Sequence, residues 1–581
     1  MAGYDLRPTI RVCEAQNAAS GFPAIAEELL DALRKTTASR RVLAIECYPE
    51  TDYEELREGL IARLGPGLAL FADDFAEDAG RVQERIADCV TQDRVFGVMS
   101  HYTVDQFYPA EGIAAARHLI DAAEGLAVVY GTGASMLCEP DVLVYADLTR
   151  WEAQLRLRRG MPNWKCDNAG EDALRKFKRG YFFEWRMADR EKARLLPRID
   201  FLLDMNAHGR PALVDGASFR SALGEVARRP FRLVPYFDTS VWGGHWMQGR
   251  FGLDPKAPNF GWAFDGVPEE NGIVLDFRGT EVEVPATDVV LAQPDALLGP
   301  KVRARFGEEF PIRFDFLDTM GGGNLSLQVH PLVGYAQEHF GIHYTQDESY
   351  YILDATEDSS VYLGVRNGVG KGELAGALRA AARGEETFPA ERLVNHIPVR
   401  RHDHVMIPAG TIHGAGAGTV VLEISATPYI FTFKLWDWGR VGLDGLPRPV
   451  HLDHGLANVQ LERDTDYALA HLVDRADAPH ENLSSEPGVV SERTGLHELE
   501  FIETRRHWFD ERVTLNCHES ANMLNLVEGR GARVTSEEGA FPPLEVSYGE
   551  TFVVPASVGA YRIENTGDER AAVVQAYVRN P

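Results

Sequence analysis

Along the first 215 or so residues, apolar positions alternate between two periods. FPAIAEELLDALRK (22–35), EELREGLIARL (54–64) and the stretch 109–124 repeat apolar residues at helical spacing. Between them lie short continuous apolar runs: RVLAIECY (41–48), RVFGVMS (94–100), LAVVYG (126–131) and DVLVYADL (141–148). Runs of that length joined through helices predict buried parallel strands, hence an α/β layered domain. After about Phe231 the texture changes. Gly and Pro become frequent, and β-branched or aromatic runs recur: GIVLDF, TEVEV, SYYILDA, SVYLGV, HVMIPAG and TVVLEI. This pattern predicts an all-β sandwich or barrel, interrupted by one helical insertion, KGELAGALRAAARG (371–384). From about 460 the pattern resumes with RVTLNCH, ANMLNLVEG, ETFVVPAS, AYRIEN and AAVVQAYV, and predicts a second small barrel. A strand followed by PAG or PAS occurs in both regions (408–410 and 555–557), which suggests duplicated β modules. The expected domains are 1–230 (α/β), 231–460 (first barrel, insertion about 370–396) and 461–581 (second barrel).

Composition narrows the function. At 581 residues the chain is too long for one hydrophobic core. Its net charge of −28 argues against a nucleic-acid partner, which needs accumulated positive charge. No apolar run approaches the roughly 18 residues of a membrane span, and MAGYDLRPTIRVCEA lacks the apolar core of a secretion signal. Six scattered cysteines with no CxxC pair give neither a zinc ribbon nor a disulfide framework, so the cytoplasm is the expected compartment.

Two clusters carry candidate chemistry. In Asn324-Leu-Ser-Leu-Gln328-Val-His330-Pro331, Gln328 and His330 are two apart in a strand pattern and share a face; Glu348 follows in QDESYYI. In Ile407-Pro408-Ala409-Gly410-Thr411-Ile412-His413, Pro and Gly form a tight turn and His413 begins the next inward strand. Polar groups directed into a barrel interior must be satisfied, and a bound cation does this. Two imidazoles and a carboxylate suit a first-row divalent ion such as zinc. A single buried histidine is more often a hydrogen-bonded core residue; the four residues together favour the metal. His339, His343, His402 and His404 read as surface or supporting residues.

PxGxxH is the second metal signature of cupin barrels, and several motifs together resemble class I (zinc-dependent) mannose-6-phosphate isomerases. These are VWGGHWMQGRFG (241–252), FPIRFDFLD (310–318), LSLQVHP, DESYYILDA, IPAGTIHGAGAGTVVLEIS and LWDWGRVGLDGLPRPVHL. They run in order from about 234 to 460. The resemblance implies paired cupin-like (jelly-roll) barrels with a helical insertion. It implies one zinc per chain on Gln328, His330, Glu348 and His413, with Arg440 as the active-site arginine. The implied activity is an intramolecular oxidoreductase: aldose–ketose isomerisation of mannose-6-phosphate and fructose-6-phosphate through a cis-enediol. Lys434, Asp437 and Glu423 are candidate substrate-site residues, the last two also candidate bases. Arg440 could instead pair with Asp437 or Asp444. Two positions depart from the family: Gln346 and Asp315 stand where lysines of the substrate pocket are usual. An unphosphorylated or different sugar, or a non-catalytic sugar-sensing cupin, are the alternatives; a homo-oligomer is possible for any of them.

The stretch 145–192 is a basic island, and it resembles the arginine-rich lid of uridine-kinase-like P-loop proteins. After VLAIEC, however, the chain reads Tyr48-Pro49-Glu50-Thr51-Asp52-Tyr53-Glu54-Glu55, with neither a glycine loop nor a lysine, which argues against kinase activity. A degenerate domain of this type could bind an anionic regulator; the plainer expectation is that its arginines pair with the surplus carboxylates.

Overall fold

A computed structural model describes residues 3–13, 18–36, 39–428, 431–445, 448–495 and 497–579. The chain divides into two compact units. One comprises Pro8–Ala227 with Glu269–Gln293, the other Met1–Arg7, Arg228–Pro268 and Pro294–Pro581.

The first unit is built on a seven-stranded sheet. Arg40–Cys47 lies at its centre, parallel to Gly125–Gly131 and Val142–Asp147; Leu68–Phe71 and Phe201–Asp204 extend it in parallel. Ala212–Asp215 and Ala19–Ser20 close one edge in antiparallel fashion. Helix Phe22–Arg34 seals one face with Ile25, Ala26, Leu29 and Leu33, the helical stripe seen in the sequence. The run 94–100 forms no strand. Its backbone is tied elsewhere, Val98 N–H to Cys89 O and Ser100 N–H to Phe182 O, and a Cβ on Gly97 would lie 2.4 Å from Cys89 O.

The two β runs GIVLDF and TEVEV, expected to open the barrel region, belong to this unit instead. Gly272–Phe277 pairs with Thr280–Pro285 and, in parallel, with Thr9–Arg11. A segment with the same strand pattern can pair with either neighbour, and pairing with Thr9–Arg11 satisfies both edges of Gly272–Phe277.

Several arginines and a lysine of the basic island pair with carboxylates of the same unit. Arg150 bridges Asp189 and Glu269, Arg186 also reaches Glu269 at 2.7 Å, and Arg179 meets Glu184 at 2.7 Å. Lys192 lies 2.8 Å from Asp147 and 3.0 Å from Asp288, all three fully buried. In the turn after the central strand, Asp52 accepts the Glu54 and Glu55 N–H groups at 3.1 and 3.0 Å. The amides that could hold a phosphate there are thus taken by the chain's own carboxylate.

Glu46, at the end of the central strand, accepts N–H bonds from Gly133 (2.5 Å) and Ser135 (2.8 Å). Burial, reinforced by Glu191, pushes its carboxyl up to about 7 despite those bonds. A carboxyl raised above its unfolded value of about 4.3 stabilises fully below that pH and loses its contribution as pH rises through 7. Glu46→Gln is therefore expected to flatten the gain in stability between pH 7 and pH 4.5, a gain on the order of 3 kcal/mol. Denaturant unfolding of both proteins across this range checks it.

The second unit holds two pairs of β-sheets, in the regions where the sequence predicts two barrels. In the first, a seven-stranded sheet includes Glu348–Ala355, Thr419–Ala426 and Ile312–Asp318 side by side; a five-stranded sheet includes Leu327–Val329 between His413–Ala415 and Phe433–Trp436. Helix Lys371–Ala382 is the insertion. Strand Val473–Asp474, past the expected boundary at 460, pairs with His404–Val405 of this barrel. The second barrel packs five strands, including Ile502–Phe509, Asn522–Glu528 and Ala571–Val578, on four others around Phe509, Leu524, Phe552 and Val573. Among the described residues no helix is long and apolar enough to cross a membrane.

Candidate metal centre

Strand register decides what faces the interior of the first barrel. Leu317, Val421 and Ile352 form an apolar layer. One step along, Asp315, Glu423 and Tyr350 stand in a row; one step further stand Arg313, Ser425 and Glu348. Directly opposed residues of antiparallel strands point to the same side, so this face becomes polar toward one end. On the other sheet Gln328 opposes both His413 and Lys434. The two sheets bring His330, Glu348 and His413 together, with one nitrogen or carboxylate oxygen of each within 4.8 Å of the others.

All three side chains are fully buried. His330 Nδ1 lies 3.1 Å from Phe431 O, and His413 Nδ1 2.9 Å from Thr411 O. A carbonyl can only accept, so each Nδ1 carries a hydrogen, and a neutral ring so held directs its Nε2 lone pair inward. His330 Nε2 sits 3.0 Å from Glu348 Oε2, and His413 Nε2 2.9 Å from Oε1. Two lone pairs thus face two carboxylate oxygens, and neither His330 Nε2 nor Glu348 Oε1 takes part in a hydrogen bond. Such a convergence of acceptors calls for positive charge between them. A tetrahedral ion with ligands at 2.0–2.1 Å holds them about 3.3 Å apart, close to this spacing. The residues present fit a divalent cation. Gln328 points its amide nitrogen at His413 Nε2, 3.1 Å away, while its oxygen accepts from Ser326 Oγ at 3.2 Å; a half-turn of the amide would offer the oxygen as a fourth ligand.

Behind Glu348 runs a connected polar layer. Gln346 donates to Glu348 Oε2 (2.9 Å) and lies 3.5 Å from Glu423 Oε1. Arg313 reaches Glu423 at 3.0 Å, Ser425 Oγ at 2.8 Å and Asp315 at 3.5 Å. Burial pushes Asp315 up to about 6 against the pull of Arg313; burial, with Asp315 and Glu348, drives Glu423 well above the carboxylate range. Arg313 was not singled out from the sequence, although its place two residues before Asp315 puts it on the same face.

The remaining expected residues divide. Asp437 is clamped by Arg440 on one oxygen and Arg448 on the other. Lys434 sits half-buried beside Gln328 in the register. His339 and His343 are exposed, but His404 is fully buried, between Ser349 Oγ (2.9 Å) and Thr494 Oγ1 (3.1 Å), on the face of its strand away from His330, Glu348 and His413.

Residues 21–228 match a family described as a domain of unknown function (DUF8485). Among curated proteins, mannose-6-phosphate isomerase of Streptococcus mutans serotype c is 28% identical over 229 residues, which is 39% of this chain and 66% of that one. Mannose-6-phosphate isomerase ManA of Bacillus subtilis is 25% identical over 346 residues, 58% of this chain and 97% of its own. The chain is similar to mannose-6-phosphate isomerases. Among solved structures, that of mannose 6-phosphate isomerase from Bacillus subtilis aligns over 60% of this chain and 100% of its own at 20% identity and a TM-score of 0.47. A zinc-bound mannose 6-phosphate isomerase aligns over 61% and 100% at 17% identity and a TM-score of 0.46.

Proposed function

We propose that this protein is a metal-dependent aldose–ketose isomerase acting on mannose-6-phosphate and fructose-6-phosphate, with zinc held by His330, Glu348, His413 and Gln328. The observation that carries the reading is the pair of buried imidazoles whose Nδ1 hydrogens are committed to backbone carbonyls and whose Nε2 atoms meet one carboxylate. When bound, the ion supplies Lewis-acid charge to substrate oxygens. The full burial of the three ligands keeps water from competing on their side of the ion. Arg440 keeps its guanidinium charged and oriented against Asp437, suited to steady negative charge developing on a sugar oxygen. Glu423 and Asp437, the two candidate bases, are each engaged by guanidinium groups, which supports structural and electrostatic roles for both.

A coupled mannose-6-phosphate isomerase assay before and after chelation tests the reading. Activity is expected to vanish with the metal and to return with zinc. Arg440→Ala is expected to retain the metal while kcat falls about a hundredfold or more, as when one transition-state donor is removed.

One observation favours a second substrate. Asp315 is fully buried and its nearest cation is Arg313, so the position where lysine is usual in similar enzymes adds negative charge. Turnover of free mannose with none of the phosphate would select an unphosphorylated sugar.

A further inference from the structure

We propose that Arg463 is a positioning residue for the metal centre, acting through the turn Pro408–Thr411; the proposal rests on the metal reading above. The turn closes with Thr411 N–H to Pro408 O at 3.1 Å, and Gly410 occupies its third position with φ +90°. That conformation requires glycine, and a Cβ there would also meet Gln460 Cγ at 2.8 Å and Asn458 O at 2.9 Å.

The turn is joined to both candidate imidazole ligands. Thr411 O accepts the Nδ1 hydrogen of His413 at 2.9 Å, and Gly410 N–H donates to His330 O at 3.0 Å. A shift of the turn therefore rotates one ring and displaces the backbone of the other. Arg463 holds it. Its Nη1 lies 2.6 Å from Pro408 O, from Ala409 O and from Thr411 Oγ1 alike, and the side chain is almost completely buried. Thr411 Oγ1 in turn donates to Pro408 O at 2.7 Å. The arginine's own backbone is fixed on both sides, since Val365 N–H donates to Arg463 O at 3.1 Å and Arg463 N–H donates to Gln460 O at 3.3 Å.

Nη1 carries two hydrogens, so the three acceptors share them in charge-assisted bonds that burial strengthens. Their effect falls on the aim of His413 Nε2, which is the property that supporting groups around a metal tune. Arg463's side-chain hydrogen bonds run to the turn, so its influence passes through Thr411 O to His413 and through Gly410 N–H to the backbone of His330.

The test measures metal affinity and ligand geometry in Arg463→Met, Arg463→Lys and the unmutated full chain, by chelator competition for zinc and by the visible d–d spectrum after cobalt replacement. Arg463→Met is expected to bind zinc about 10- to 100-fold more weakly and to shift the cobalt bands. Arg463→Lys, which keeps a buried charge with donors in reach, should recover part of both. Unchanged affinity and spectrum in a folded Arg463→Met that has merely lost thermal stability would overturn the proposal. Should Arg463→Met fail to fold, Thr411→Val removes one anchor while keeping the side chain's shape. A several-fold loss of zinc affinity with a moved cobalt spectrum supports the proposal, and unchanged values overturn it. Absence of metal from the unmutated protein would overturn the metal reading itself and this proposal with it; metal retained normally by both the unmutated protein and the variants overturns this proposal alone.

Discussion

His413→Ala is expected to empty the metal centre and to lower isomerase activity about a thousandfold or more. The side chain donates one of the two inward Nε2 lone pairs, and no other imidazole or thiolate joins the group formed with His330 and Glu348 among the described residues. Losing it leaves one imidazole, one carboxylate and the Gln328 amide, whose neutral oxygen is a weak donor and not one of the usual nitrogen, sulfur or carboxylate ligands of zinc. A Lewis acid contributes several kcal/mol of transition-state stabilisation, and each 1.4 kcal/mol is a factor of ten. Metal content by elemental analysis and kcat with excess zinc measure the two effects separately. A protein that kept full metal occupancy and full activity would remove His413 from the ligand set.

Arg313→Leu is expected to cost about 3–5 kcal/mol of stability near neutral pH, the usual consequence of leaving buried charges without their counter-ion. Glu423 and Asp315 are both at most 4% exposed, and Arg313 is the cation that faces them. The deficit should depend on pH in a definite direction. Asp315 stands at about 6 because burial outweighs the pull of Arg313, and removing that pull raises it further. A carboxyl raised in the folded state stabilises below its unfolded value of about 3.9 and withdraws that stability as pH climbs through the folded value. The variant should therefore lie closest to the parent near pH 4 and furthest from it above pH 7. Unfolding midpoints of the two proteins across pH 4–8 decide this; a deficit that is constant or grows toward acid would contradict it. Arg313→Lys should lose much less, because it keeps the charge in place.

The residues that converge in the first β region were legible in the sequence because strand periodicity and a turn are local. Gln328-Val-His330 needs only period two to place both polar side chains inward, and Pro408–His413 needs only the turn chemistry of Pro and Gly. Most strands were legible for the same reason; SVYLGV forms strand Ser360–Val365 and AAVVQAYV forms Ala571–Val578. Failures occurred where a distant partner decides. The run 94–100 is apolar enough for a strand, but its backbone is engaged by Cys89 and Phe182. Gly272–Phe277 has strand character, yet nothing local signals that Thr9–Arg11 pairs with it. Arg463 was invisible for a different reason. Its acceptors are two main-chain carbonyls and a hydroxyl more than fifty residues away, and such partners leave no charge pattern in a sequence.

The interleaving of the two units also orders their folding in time. Because Glu269–Gln293 belongs to the first unit, that unit has its full set of strands only after Gln293 has left the ribosome, by which point Arg228–Pro268 of the second has already emerged. The opposite delay applies at the start of the chain. Tyr4 waits for Asp265, its hydrogen-bond partner at 2.7 Å, and the Asp5 N–H waits for Glu550, 545 residues later. Tyr4 and Asp5 thus wait for partners far along the chain, and neither unit can be released from this protein as one continuous stretch of chain.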